Sequence, residues 1–425
     1  MAGTAYPIFC SGSIATGAGT TSYWVVGDSD IAGYATATAA GSVTYRQAGT
    51  LSGMCIVCQI NPAISGAITF TSSIAGSTGN QSISIASGVT GVIVEGTPHT
   101  DSISSGNTIG IAATGTLSGN ATFQNLGLVF TPTSGTNKRI AAGNNDVSSS
   151  TANNTSYYSA FGQLIKTSTE LNTGTELFVT GTLQNAAVVT SLCNRVNSTT
   201  IRSRVGTGSG QANGNILVSV PATPSGIGTF SDLSNTDTLA NTGTVINWSL
   251  TTGTGTQSIT VNSINAEIAT SDSTSVVAAS YVSSTNSGGT TQRYTPFAGG
   301  MEGFTTSENL TQVNALATYN VSNLCANCTA NATPVTCSVR MRKNTAFGNG
   351  IASVTSTGYF SDVSNTDSYG PTDLINIGLK NGTSGTVTFV SFSAKLSQAV
   401  TFNPDEDFWT WPIPALIEPS ISIWQ

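Results

Sequence analysis

Apolar residues in this chain fall at every second position, in short runs broken by Gly, Ser, Thr and Asn. Ile109, Ile111 and Ala113 alternate in this way, as do Ile246, Trp248 and Leu250, and again Ile375, Ile377 and Leu379. A period of two marks a strand with one buried face, because successive side chains of extended backbone point to opposite sides. After each trio come a Gly/Thr/Ser turn and a longer strand whose alternation skips one residue midway. The apolar positions are Ala121 and Phe123, then Leu126, Leu128 and Phe130; Ile259 and Val261, then Ile264, Ala266 and Ile268; Val387 and Phe389, then Phe392, Ala394 and Leu396. One extra residue that restores the inward face is the signature of a β-bulge. The same skip in three places predicts three copies of one unit, with a period of about 135 residues.

Two further landmarks recur in the same order. Each copy opens on aromatic residues after a Ser/Thr/Asn-rich stretch: Tyr23-Trp24, Tyr157-Tyr158 and Tyr294 with Phe297. Each carries a polar turn containing Thr-Asp, which reads His99-Thr100-Asp101, then Phe230-Ser231-Asp232-Leu233-Ser234-Asn235-Thr236-Asp237, then Phe360-Ser361-Asp362-Val363-Ser364-Asn365-Thr366-Asp367. The first copy lacks the Phe-Ser-Asp portion. Shorter alternating runs precede these landmarks, at Ile68 to Phe70, Ser82 to Ile85, Leu183 to Val189, Ile201 to Val205, Ile216 to Val220 and Val335 to Met341. Six to eight strands per copy suit an antiparallel double sheet of the jelly-roll kind. No stretch holds a 3.6-residue period, so helices are expected to be few and short. The expected fold is all-β: three tandem antiparallel β-sandwich, jelly-roll-like repeats followed by an extended aromatic tail. Boundaries are placed in the Ser/Thr/Asn/Gly stretches, giving units 1–136, 137–273 and 274–400 and a tail 401–425. Those stretches read as linker-like extended arms, and the alternating polar face reads as a Thr, Ser and Asn surface turned to solvent.

Composition narrows the setting. Only 8% of the 425 residues are charged and 38% are hydrophobic, so the chain has apolar material for cores and lacks the charge density of disordered segments. A net charge of −7 with 13 dispersed Lys and Arg leaves no basic cluster to follow phosphates, which argues against nucleic acid. No apolar run reaches the length that spans a bilayer. Met1-Ala2-Gly3-Thr4-Ala5-Tyr6-Pro7 reads as no secretory signal. The seven cysteines, an odd number, argue against a complete disulfide framework. Cys55 and Cys58 fall on a strand, on opposite faces, and Cys325, Cys328 and Cys337 lack an evident fourth ligand, so all are read as small buried hydrophobes.

Catalytic chemistry finds little to work with. His99 is the one histidine, and its counterparts in the other copies are Asn235 and Asn365, which marks it as a turn residue rather than a base. No nucleophile elbow, P-loop or His-Glu-x-x-His motif occurs. Asp232 with Asp237 and Asp362 with Asp367 are weak candidates for calcium, with hydrogen-bonded turns the preferred reading. The Asn-x-Ser/Thr triplets at Asn120, Asn197, Asn247, Asn309, Asn320 and Asn331 are of the number expected by accident in so Asn- and Thr-rich a chain. We therefore expect no enzyme, no catalytic residue and no cofactor. The tail concentrates Phe402, Phe408, Trp409, Trp411 and Trp424 among prolines, behind Asp405-Glu406-Asp407. Aromatic side chains on an extended terminus suit docking to a partner, and folding back to cap the third unit is the equal alternative.

The aromatic opening, the alternating strands, the F-S-D-x-S-N-T-D turn and the two closing strands together resemble tandem jelly-roll repeats of tailed-phage virions. The resemblance covers the chain to about residue 400. It implies a non-enzymatic virion surface protein, a capsid decoration, head-fibre or tail-appendage component. Its partners would be other virion proteins and copies of itself, a trimer being the first expectation, with a host surface glycan as a further partner. It carries no functional residue across. The alternatives are a cell-surface filament or adhesin subunit and an array of carbohydrate-binding modules.

Overall fold

The structure is a computed structural model. It describes residues 5–16, 21–27, 43–61, 65–97, 99–116, 121–133, 138–149, 154–164, 166–223, 225–255, 258–272, 274–287, 291–300, 304–380, 382 and 385–398. Eight principal strands occur in each third of the chain. The first set is β1 (Tyr6–Thr16), β2 (Thr21–Val25), β3 (Gly49–Ile60), β4 (Ala67–Ile74), β5 (Ser77–Ala86), β6 (Gly91–Val94, resuming at Thr100–Ile103), β7 (Thr108–Gly115) and β8 (Ala121–Pro132). The second is β9 (Lys138–Ser149), β10 (Thr155–Tyr158), β11 (Gly181–Cys193), β12 (Thr199–Thr207), β13 (Ala212–Val220), β14 (Gly228–Leu239), β15 (Thr244–Thr252) and β16 (Ile259–Thr270). The third is β17 (Ser275–Ser287), β18 (Arg293–Thr295), β19 (Tyr319–Asn331), β20 (Cys337–Lys343), β21 (Ala346–Val354), β22 (Gly358–Tyr369), β23 (Leu374–Lys380) and β24 (Thr386–Gln398). Among the described residues helix is confined to two single 3₁₀ turns, Glu170–Thr173 and Glu308–Leu310.

In the first set one sheet runs β1-β8-β3-β6 and the other β2-β7-β4-β5. The second and third sets repeat both orders, strand for strand. First beside eighth, third beside sixth, second beside seventh and fourth beside fifth is the strand order of a jelly roll. The chain is thus three tandem antiparallel jelly-roll sandwiches. The skipped residue in each closing strand is a bulge. Opposite the consecutive Val57 and Cys58 of β3 the register passes from Asn125 to Phe123, opposite Val189 and Thr190 of β11 from Ser263 to Val261, and opposite Asn327 and Cys328 of β19 from Ser391 to Phe389. Gln124, Asn262 and Val390 are the residues stepped over.

Inward positions make the cores. In the first sandwich Trp24, Phe70 and Phe123 are fully buried, with ring centroids 4.7–6.1 Å apart. Side chains of this kind stabilise a fold by roughly 1.5–3 kcal/mol each when fully buried. Trp248 and Phe389 serve the other two cores. The first and third cores run into one continuous cluster, and Val277 and Ala279 of β17 join the core of the second sandwich while Val276 and Ala278 face their own.

Two expectations are corrected here. The Ser/Thr/Asn stretches expected to act as connecting arms form strands, β9 and β17 in the second and third units and part of β1 before the first aromatic opening. Ser, Thr and Asn satisfy a ladder as well as they satisfy a loop, so a polar stretch without Pro can pair wherever a neighbouring edge is open. The polar faces of the closing strands are also not solvent-facing. Asn125, Asn262, Ser263, Asn265, Glu267, Ser391 and Ser393 are all buried, because the three sandwiches pack on one another there. The tail 401–425, with Phe402, Phe408, Trp409, Trp411 and Trp424, lies outside the described residues.

Candidate functional site

The repeated Thr-Asp turn is a carboxylate latch at the corner where the chain crosses from one sheet to the other. Asp237 on β14 accepts hydrogen bonds from Asn215 N (2.6 Å) and Ser203 Oγ (2.5 Å). Asp101 accepts from Asn80 N (2.6 Å) and Ser72 Oγ (2.5 Å), and Asp367 from Asn349 N (2.6 Å) and Gly350 N (2.9 Å). The Asn amide that follows closes the latch, with Asn80, Asn215 and Asn349 Nδ2 donating to Thr100, Thr236 and Thr366 O. A glycine precedes each of these asparagines. A Cβ on Gly214 or Gly348 would lie within 2.7 Å of the carboxylate oxygens, and on Gly79 within 2.8 Å.

A second carboxylate shapes the turn itself. Asp232 accepts from Leu217 N (2.8 Å), Ser234 N and Oγ, Asn235 N and Asn235 Nδ2 (2.8 Å). Asp362 repeats the set with Ile351 N, Ser364 N, Asn365 N and Asn365 Nδ2. Burial pushes both pKa values up, and the converging donors outweigh it, holding both carboxyls below their ordinary value. In the first sandwich Glu95 takes this place, accepting from Ser82 N (2.9 Å) and lying 2.8 Å from His99 Nδ1. One extra methylene in Glu95 matches one extra residue in the turn. His99 therefore stands where Asn235 and Asn365 stand.

The weak metal candidates Asp232, Asp237, Asp362 and Asp367 are each surrounded by N–H and O–H donors. A cation would meet those hydrogens rather than free lone pairs. Among the described residues no three His, Cys, Asp or Glu side chains gather as a metal would require. All seven cysteines are free and buried. Burial raises the thiols of Cys55, Cys58 and Cys328 to about 11 and that of Cys337 to about 12, far from the thiolate a nucleophile or ligand needs.

The seams between sandwiches are the arrangement that single-copy reasoning missed. In the second and third sandwiches the long loop after the second strand carries the 3₁₀ turn, clamped from below by repeated contacts. Arg204 forms a two-pronged ion pair with Glu170, and Arg342 does so with Glu308. Asn247 Nδ2 donates to Thr173 Oγ1 and Asn376 Nδ2 to Thr311 Oγ1, both at 2.8 Å. The clamped loop then offers its carbonyls to the next sandwich. Leu171 O and Gly174 O accept from Asn327 Nδ2 on β19, both at 2.9 Å, and Gly174 O also accepts from Ser391 Oγ at 2.8 Å. Leu310 O and Gln312 O accept from Asn125 Nδ2 on β8, at 3.3 and 3.1 Å. In the first sandwich the loop gives Arg46 N to the buried Glu267 on β16, at 3.1 Å. First docks on second, second on third, and third on first, so the three close into a ring. Ser11 Oγ bonded to Ala298 O (2.6 Å) and the Phe9–Phe297 contact add to the third-to-first closure. A crevice of about 280 Å³ at that closure is lined by Val57, Cys58, Gln59, Val92, Leu310 and Leu374 among others. It holds amides and apolar side chains and no acid–base pair.

No protein-family profile matches the chain, and no curated protein sequence matches it. Among solved structures, one described as "Structure of infectious bursal disease virus Gx strain" aligns over 95% of this chain and 83% of its own, at 8% identity and a TM-score of 0.19. "Crystal structure of infectious bursal disease virus VP2 subviral particle" aligns over 94% and 81%, at 8% identity and 0.20. "The Triple Jelly Roll Fold and Turret Assembly in an Archaeal Virus" aligns over 92% and 91%, at 10% identity and 0.19. Likenesses this distant leave the jelly-roll assignment resting on the strand order itself.

Proposed function

We propose that the chain is a non-enzymatic structural protein of a virus particle, carried on the outside of a phage capsid or tail as a decoration or fibre component that contributes to host attachment. The observation that carries this reading is the closed ring of three jelly rolls. The loops after the second strands, as far as the structure describes them, dock on neighbouring sandwiches, and the repeated Asp carboxylates are spent on turns. Such a block is built for stiffness and for a fixed three-way presentation of surfaces. A closed ring also satisfies its internal contacts, so attachment to a lattice falls to what lies outside it. The aromatic tail is the segment we assign to that task, with Phe402, Phe408, Trp409, Trp411 and Trp424 as anchors on a capsid or tail protein or on further copies of the chain, three copies being the first expectation.

The test is electron microscopy of the purified full chain and of a chain ending at Val400, each alone and mixed with particles of the phage that encodes it. Decoration of particles or self-association by the full chain, lost on shortening, is the expected outcome. A full chain that stays monomeric at every concentration and binds no particle component overturns the reading. Long polymers formed equally by both chains would put a filament subunit in its place, and specific hits on a glycan array would favour a carbohydrate-binding array.

A further inference from the structure

The three seams are not chemically alike. At the first-to-second seam the buried carboxylate of Glu267 is met by Arg46 N, Asn185 Nδ2 (2.6 Å) and Gln184 Nε2. The third-to-first seam is neutral, made by Asn125 and two carbonyls. At the second-to-third seam stands Glu176, in the short strand Thr175–Leu177 that pairs with Thr244–Ile246 of β15. Thr175 and Leu177 are buried against their own sandwich, while the Glu176 carboxylate lies beside Gly243 of the turn before β15 and near enough to Cys325 and Tyr359 of the third sandwich for its charge to act on both. Its backbone carbonyl accepts from Ser393 Oγ, and flanking carbonyls at Gly174 and Phe178 accept from Ser391 and Asn323. The backbone on both sides of Glu176 is therefore pinned to β19 and β24. Its half-buried carboxylate, by contrast, has no hydrogen-bond donor and no cation among the described residues.

We propose that the protonation state of Glu176 sets how tightly the second sandwich docks on the third, so that this seam alone loosens as the carboxylate ionises. The groups facing it do not relieve the charge. Cys325 on β19 and Tyr359 on β22 are protonated neighbours, both pushed upward by burial and by the Glu176 charge itself. Tyr281 of β17 donates its hydroxyl to Asn172 O. Glu170 is held by Arg204, and Lys395 on β24 is held by Asp272 at 3.0 Å. Burial raises the Glu176 carboxyl from 4.5 to about 7. The part of that rise that comes from burial against the third sandwich means that the docked state holds the proton more tightly than the undocked one. The stabilisation is complete below about pH 4.5 and is lost as pH rises through about 7. Between pH 5.5 and pH 8 a rise from 4.5 to about 7 changes the docking equilibrium about 30-fold, and partial solvent exposure reduces this to about tenfold. The inference concerns the ring and holds whether or not the chain belongs to a particle.

Hydrogen exchange of the full chain at pH 5.5 and pH 8, corrected for intrinsic rates and read by mass spectrometry, tests it. Peptides covering 171–178 and 319–331 are expected to exchange about tenfold faster at pH 8, while 121–132 and 308–316, at the neutral seam, keep their protection. Glu176→Gln is expected to abolish the difference and hold the pH 5.5 level throughout. Equal protection at both pH values in the wild type overturns the proposal. So does a difference that Glu176→Gln retains, or one that the neutral seam shares. If the variant fails to fold, the wild-type comparison between the two seams decides alone.

Discussion

Replacing Gly214 with alanine tests whether the Thr-Asp latch holds each sandwich closed at its corner. The added Cβ would sit 2.6 and 2.7 Å from the Asp237 carboxylate oxygens and closer still to Ser203 Oγ. Neither partner can retreat freely, because Asp237 is 4% exposed and Ser203 is wholly buried beneath it. The carboxylate must let go of Asn215 N or Ser203 Oγ, or β13 must move away. Hydrogen bonds to a charged acceptor are worth about 1.5–3 kcal/mol each. Losing one, with the buried carboxylate left partly unsatisfied, gives an expected destabilisation of about 2–4 kcal/mol. Gly96→Ala is the control, since a Cβ there meets nothing within 4 Å and needs no positive φ; it should fall within about 0.5 kcal/mol of wild type.

Three sandwiches joined in a ring need not unfold in one step, so the assay pairs urea denaturation with hydrogen exchange. Gly214→Ala should lower the first urea transition and expose 212–220 and 228–239 before any segment of the first sandwich. Gly79→Ala and Gly348→Ala should transfer the same effect to the first and third sandwiches. A loss below 1 kcal/mol in all three, or exposure spread evenly over the chain, refutes the latch as a local fastening.

Asp362→Asn should cost about 1–2 kcal/mol at pH 7. Because the folded carboxyl is held below its ordinary value, its contribution is present above about pH 4 and is lost as pH falls further, so wild type and variant should converge in acid; a gap that persists there counts against the turn. Asn327→Ala leaves Leu171 O without its donor and Gly174 O with Ser391 Oγ alone, and should weaken the second-to-third seam by about 1–2 kcal/mol, read as faster exchange in 386–398 with 121–132 unchanged. At pH 8 the native chain should resist iodoacetamide for hours at Cys55, Cys58, Cys325, Cys328 and Cys337, since burial raises these thiols and leaves a thiolate fraction of about 10⁻³ or less. Alkylation in urea should reach all seven, and prompt native labelling of Cys55 or Cys337 would contradict their packing.

The elements that were legible in the sequence were those whose pattern is set within one sheet. Ile246, Trp248 and Leu250 alternate because β15 has one face on a core, and the skip between Val261 and Ile264 survives because a bulge costs one residue wherever it occurs. The Asp232 and Asp362 turns were legible because their donors lie two and three residues away. Glu95 was missed as their equivalent because the first turn is one residue longer, which breaks the word without breaking the geometry. Gly214-Asn215 and its counterparts, Gly79-Asn80 and Gly348-Asn349, were missed for another reason. The carboxylate each glycine admits lies about twenty residues on. The signal was nonetheless present, as a Gly-Asn pair preceding each Thr-Asp.

The ring was not legible, and the reason bears on how such chains should be read. Alternation shows that a strand has two different faces; it does not show what covers the polar one. A surface turned to water is usually furnished with Lys and Glu, which remain solvated cheaply. A face buried against another sandwich is better served by short neutral side chains, because a buried charge costs several kcal/mol once water is excluded. Asn125, Asn327, Ser391 and Ser393 donate to carbonyls of the neighbouring loop, while the Oδ1 atoms of Asn125 and Asn327 stay buried without a partner. The Thr, Ser and Asn composition expected of a solvent-facing surface is thus in part the composition of an interior, shared between sandwiches. Glu267 and Glu176 are the instructive departures. Glu267 is tolerated because three donors reach it, whereas Glu176 has none, and the ring should therefore be weakest where it stands.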